Sequence, residues 1–195
     1  MLAVSIKGGR KMTTSKKAFI GINLLFVIFI SAAMVYGQEE ISAAQLRFGM
    51  GYFMGGVGMF SESGNNSIIY SVGGGGHSLK NRFIIGGEGH SSFGTDNAGG
   101  YGFFDIGYAV LISDTLVLYP LIGIGGGAMT RPVDPSVSSC ALLNPAVGFD
   151  YLIHRKSKSG ILLGLRLGYI FTLYSDTWDW SMPYIRILIG GFGVD

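Results

Sequence analysis

The sequence predicts an all-β chain: an eight-stranded antiparallel up-and-down transmembrane β-barrel, preceded by an N-terminal signal helix. Three observations carry this. First, residues 160–174 alternate with a period of two, Ile161, Leu163, Leu165, Leu167, Tyr169, Phe171 and Leu173 against Leu162, Gly164, Arg166, Gly168, Ile170, Thr172 and Tyr174. Such a period marks a strand with two unlike faces. Second, charged residues make up 13% of the chain, against about 25% in soluble domains, so the apolar row has little competition for an exterior that avoids water. Third, Gly is 33 of 195 residues, and it is interleaved with Ile, Leu, Phe and Tyr. Exposed soluble strands avoid glycine. A narrow lumen, by contrast, accepts small residues and a few charges while the apolar row meets lipid.

The N-terminus supplies an address. Lys7, Arg10, Lys11, Lys16 and Lys17 precede the apolar run 18–35, and Gly37 follows it. That order predicts a secretory signal peptide over 1–37, cleaved after Gly37, with the barrel over 38–195. An uncleaved anchor is the alternative, because 18 apolar residues approach the length of a spanning helix, and Met12 is a second candidate start. From Gln38 onward there are 9 basic and 12 acidic residues, a balance that does not indicate a nucleic-acid partner. The single cysteine, Cys140, allows no intrachain disulfide and is expected in a passive loop position.

Eight strand-like runs follow the signal. Leu46–Met59 places Leu46, Phe48, Met50, Tyr52 and Met54 on one face and Arg47, Gly49, Gly51, Phe53 and Gly55 on the other, with Arg47 assigned to the lumen. Ser67–Gly76 is next, with a turn expected over His77–Asn81. Then come Arg82–Ser92, Gly100–Ile112, a tight Ser113-Asp114 turn, Thr115–Met129, Ala141–Ile153, the 160–174 stretch and Pro183–Val194. An even count suits a closed barrel. Closure is required because hydrocarbon offers no partner to edge N–H and C=O groups. With both termini on the periplasmic side, the gaps 60–66, 93–99, 130–140 and 175–182 face outward.

The polar rows nominate the interior. Glu88, Asp105 and Asp150 stand on the third, fourth and sixth runs, and Arg47, Arg166 and Arg186 on the first, seventh and eighth. Three carboxylates facing three guanidiniums predict a lumen charge network, since buried charge must be paired. Tyr169, Tyr174, Trp178, Trp180 and Tyr184 cluster near one end and are expected in the aromatic girdle at the lipid–water interface.

Other signals carry less. Gly123-Ile-Gly-Gly-Gly-Ala128 matches a dinucleotide-binding fingerprint, but Met-Thr-Arg-Pro-Val-Asp-Pro follows it rather than a helix. Glu88, His90 and Ser92 share one face and are the residue types of a serine hydrolase, although neighbours on one strand seldom make its triangle. The scattered His77, His90 and His154 give no metal spacing. No catalytic, cofactor-binding or metal residues are therefore assigned.

The export signal, Tyr119-Pro-Leu-Ile-Gly-Ile-Gly-Gly-Gly127, Gly164-Leu-Arg-Leu-Gly-Tyr169 and the final run together resemble the small outer-membrane β-barrel family, OmpA/OmpX-like with a porin-type fold. The resemblance covers about residues 46–194. Such barrels usually end on an aromatic residue; here Phe192 stands three residues before Asp195. The resemblance implies a monomer in the outer membrane of a Gram-negative-type bacterium, in contact with outer-membrane lipids and the barrel-insertion machinery. The expected role is structural or surface-interacting and not enzymatic, with the extracellular ligand open. A lipid-modifying enzyme, a narrow channel for small solutes and a soluble periplasmic lipid-binding barrel are the alternatives.

Overall fold

Residues 47–62, 65–94, 97–112, 115–130, 137–156, 158–175 and 180–194 are described by a computed structural model of the chain. The expected signal segment, Trp178 and the side chain of Arg47 lie outside the described residues. Among the described residues, nine strands form one sheet: β1 (Arg47–Glu62), β2 (Asn65–Lys80), β3 (Phe83–Gly94), β4 (Ala98–Tyr108), β5 (Leu111–Ile112), β6 (Leu116–Thr130), β7 (Val137–Lys156), β8 (Ser159–Ser175) and β9 (Met182–Val194). All pairings are antiparallel. β4 and the two-residue β5 share one place beside β6, so the barrel is eight-stranded. Pairing of β1 with β9 and of β4 with β6 closes it.

Most strands overrun their expected ends, while the run expected over Gly100–Ile112 breaks after Tyr108 into β4 and β5. β2 continues through His77 to Lys80, where a turn over Asn81 and Arg82 leads to β3. Both turn residues have left-handed backbones, with φ of 51° and 70°. That is the geometry of a two-residue hairpin turn whose twist matches its strands. The expected His77–Asn81 turn is therefore corrected: His77 is a strand residue, 3% exposed, inside the barrel. The connection from β1 to β2 shrinks to residues 63 and 64. Cys140 also belongs to a strand, with its Sγ donating to the Gly127 carbonyl oxygen at 3.4 Å, and the Gly123–Ala128 fingerprint lies within β6.

Alternation sets which row faces out. On β8, Leu163, Leu165 and Leu167 are exposed while Leu162 and Arg166 are buried, as its pattern implies. Phe104 and Ile106 on β4, Ile122 and Ile124 on β6, and Ile185, Ile187 and Ile189 on β9 continue the apolar exterior. β1 is in the opposite phase to the expectation. Phe48, Met50, Tyr52 and Met54 point inward, and Gly49, Gly51, Phe53 and Gly55 point out. A lumen filled by side chains needs apolar volume as much as lipid does, so an apolar row alone does not name its side.

Aromatic pairs mark both edges of the apolar belt. Phe83 and Tyr108 meet edge to face at 5.4 Å between centroids near the end where β1 starts, and Tyr70 stacks on Phe93 at 5.9 Å toward the other end. Phe83 and Phe93 are the two ends of one row of β3. Ten residues of strand span about 33 Å, or about 25 Å in height at a tilt near 40°, which is the height of the apolar band on outer-membrane-type barrels.

Candidate functional site

Inward glycines make room for the polar interior. A Cβ on Gly148 would strike the Tyr119 ring, one on Gly164 the Asp150 carboxylate, and one on Gly75 the Glu88 side chain. Each large polar side chain thus lies across a bare position of an adjoining strand. Close packing of this kind leaves little free lumen.

Glu88 on β3 accepts hydrogen bonds from three donors. Arg166 Nη1 reaches its Oε2, while Arg186 Nη1 and His90 Nε2 reach its Oε1 at 2.9 and 3.0 Å. Arg166 and Arg186, facing partners in the β8–β9 pairing, are 0% and 1% exposed. A guanidinium so deeply enclosed demands such partners. Arg186 also donates to Tyr101 OH at 3.0 Å and lies 3.8 Å from the centre of the Tyr184 ring, close enough for cation–π attraction. Tyr184 OH in turn donates to Asn144 Oδ1 at 2.8 Å.

Arg166 connects the remaining acids through tyrosines. Its Nη2 donates to Tyr119 OH at 3.3 Å, and Tyr119 OH donates to Asp150 Oδ2 at 2.8 Å. The same Nη2 reaches Tyr52 OH at 3.5 Å. Tyr52 OH lies 3.0 Å from His77 Nδ1, and His77 Nε2 lies 3.1 Å from Asp105 Oδ2. This chain is satisfied when Tyr52 donates to Nδ1 and Nε2–H donates to Asp105. Of the six residues nominated from sequence, Glu88, Arg166 and Arg186 meet directly. Asp150 joins through Tyr119, and Asp105 joins through His77 and Tyr52. The bridging Tyr52, His77, Tyr101 and Tyr119 were not nominated. For Tyr101 the available signal was strand parity, since it shares its row with Asp105; the expected turn hid His77, and the ambiguous phase of β1 hid Tyr52.

Apolar side chains close the polar layer on both sides. Phe48, Leu79, Ile84, Val117, Leu152 and Phe192 fill the lumen near the termini, with Phe48 and Phe192 edge to face at 6.5 Å. At the opposite end Phe60, Ile69, Asn97, Met129, Trp180 and Met182 line a small cleft.

The aromatic girdle needs correction. Tyr169 and Tyr174 lie on the exterior, but Trp180 is 3% and Tyr184 7% exposed, and both face inward. Tyr184 shares the inward row of Arg186, and Trp180 packs into the end of the lumen. Tyr174 reaches the outside because the β7–β8 register shifts there, Ala141 facing Tyr174 and Leu142 facing Thr172. The extra residue of a bulge reverses the alternation beyond it. The hydrolase types do not assemble either: Ser92 Oγ donates to the Gly99 carbonyl oxygen at 3.4 Å, while His90 Nε2 is bound to Glu88.

No protein-family model matches the chain, and no curated protein matches it. Solved structures do. The Neisserial surface protein A (NspA) aligns with a TM-score of 0.53 at 12% identity, over 75% of this chain and 96% of that one. Ail, the attachment invasion locus protein of Yersinia pestis, solved in complex with the heparin analogue sucrose octasulfate, aligns with a TM-score of 0.50 at 14% identity, over 75% and 98%. At such identities the likeness is one of fold. Closed by a ring of eight antiparallel pairings, belted by apolar side chains and filled by a layer of paired charges, the chain has the fold of the small eight-stranded outer-membrane β-barrels.

Proposed function

We propose that the chain is a monomeric, non-enzymatic outer-membrane barrel with a structural or surface-interaction role, exported by its N-terminal signal and surrounded by outer-membrane lipid. The observation that carries this reading is the filled lumen: a layer of paired charges between apolar side chains near the termini and a small, mainly apolar cleft at the other end. Such an interior stabilises a wall and leaves little room for solutes among the described residues, which speaks against the channel alternative. The arrangement of Ser92 speaks against the hydrolase. Membranes from expressing cells should retain the chain through a carbonate wash, and planar bilayers doped with the purified protein should show no discrete conductance steps. Release by carbonate, or steps that scale with protein, would defeat the reading.

The part of the barrel available to other molecules is the end opposite the termini. Its connections and strand ends carry Glu62, Asp96, Asp134, Asp176 and Asp179 against Arg131. This balance favours cationic over anionic partners. The sucrose octasulfate held by Ail is therefore the wrong class of ligand here. The folded protein should pass through immobilised heparin at physiological salt; retention would count against an acidic recognition surface.

A further inference from the structure

Outside the lumen, the charged side chains of the described residues are Lys80, Arg82 and Lys158. All three are basic, and all stand at the end of the barrel that carries the start of β1 and the end of β9. Lys80 closes β2, Arg82 lies in the turn to β3, and Lys158 precedes β8. Among the described residues no salt bridge engages them. The backbone brings further basic positions to the same arc. Arg47 pairs with Lys80 across β1–β2, and Arg155 and Lys156 end β7. The acids that sequence sets near this end, Glu39, Glu40, Asp114 and Asp195, lie outside the described residues.

Two features suggest that this charge meets something beyond the chain. Arg82 holds a φ of 70°, a conformation in which glycine or asparagine is at ease and arginine is strained. A cation is kept where the backbone favours another residue. Phe83, next in sequence and 58% exposed, pairs with Tyr108 at the edge of the apolar belt. Lys80 and Arg82 therefore sit at headgroup depth.

The wall between the cations is bare. Gly49 faces Gly193, and Gly51 faces Gly191 on one side and Gly76 on the other. A Cβ on Gly49 or Gly51 would meet nothing within 4 Å, and one on Gly191 or Gly193 only backbone at 3.6 and 3.9 Å. In the lumen the packing demands glycine; at Gly49, Gly51, Gly191 and Gly193 nothing within the described residues does, and only at Gly76 would a Cβ press on backbone, the Met50 carbonyl oxygen at 3.0 Å. The strip of exposed backbone runs from Lys80 and Arg82 on one flank to Lys158 on the other, whose carbonyl is the atom nearest Gly193.

We propose that this end of the barrel binds an anionic glycerophospholipid. Its phosphate lies between the basic turns, and an acyl chain lies along the bare backbone of β9, β1 and β2. Charge complementarity selects this occupant. A second copy of the barrel docked face to face on the same strip would bring like charges together, and the amine of a zwitterionic headgroup would meet the same cations. The inference rests on residence in a membrane, and its test uses only protein that has already inserted.

The full chain is refolded into bilayer nanodiscs containing equal phosphatidylglycerol and phosphatidylcholine, and the lipid that it retains is counted by native mass spectrometry. The wild type should retain phosphatidylglycerol in about fivefold preference or more, as a few interfacial cations provide, with the preference falling in high salt. K80Q/R82Q/K158Q should bring the ratio near one, while the charge-preserving K80R/R82K/K158R should keep it. Gly51→Leu should lower retention of both lipids. Equal retention by the wild type, a preference that survives the glutamine variant, retention unchanged by Gly51→Leu, or dimers in place of lipid adducts would each overturn the proposal.

Discussion

Arg166 is the residue on which the interior converges. It reaches Glu88 directly, Asp150 through Tyr119, and Asp105 through Tyr52 and His77. The acids are not equivalent. Glu88 faces two guanidiniums, so Glu88→Gln leaves both without a counter-charge and should cost about 3–5 kcal/mol. Asp150 accepts from a neutral tyrosine, so Asp150→Asn keeps an acceptor and should cost about 1–2 kcal/mol. Urea unfolding of the two variants in lipid should show that order, and equal losses would remove the distinction. Parity made Arg166, Arg186, Glu88, Asp105 and Asp150 legible as inward residues. Their pairing was not legible, because it depends on how far each strand is staggered against those across the lumen. The inward position of Tyr184 was legible in principle, two residues from Arg186, but an aromatic near a strand end suggested the interface more strongly.

At the level of the strand, glycine has two meanings that composition cannot separate. Gly148 on β7 is a slot for Tyr119, and Gly51 on β1 faces out with open space around it. Gly148→Val should overpack the lumen and cost about 1–3 kcal/mol. Gly51→Ala should be neutral or stabilise by up to about 1 kcal/mol through the unfolded chain. Thermal or urea unfolding of the two variants tests the contrast, and similar losses would show that both faces are packed. The phase of β8 was readable because Arg166 and three glycines or threonines stood against an unbroken apolar row. The phase of β1 was not, because Tyr52 and Met54 serve a filled lumen as well as they would serve lipid. The β7–β8 bulge that turns Tyr174 outward left no mark in the alternation, since Leu173 and Tyr174 suit the exterior equally.

For the whole barrel, the aromatic edges set a thickness. A belt about 25 Å tall is shorter than the ~30 Å hydrocarbon of an average bilayer. Refolding should therefore be more efficient in short-chain than in long-chain phosphatidylcholine vesicles, as followed by the shift in gel mobility of unheated samples; the reverse order would place the belt edges elsewhere. The architecture was visible in eight alternating runs, whereas the reach of the strands past their expected ends was not, because polar residues such as His77 and Ser78 continue a ladder without an apolar signature. The placement of the ion pairs has a consequence for assembly. Glu88 lies 78 residues from Arg166 and 98 from Arg186 in sequence, on β3 against β8 and β9. Glu88 meets neither guanidinium within a hairpin, whereas Arg166 already has Tyr119 and Asp150 on β6 and β7 beside it. A sheet that has formed every local hairpin but not its seam still holds Glu88 apart from both guanidiniums. The two Glu88 ion pairs form only when the last strand meets the first, so they work as a latch that favours the completed ring over every partial one.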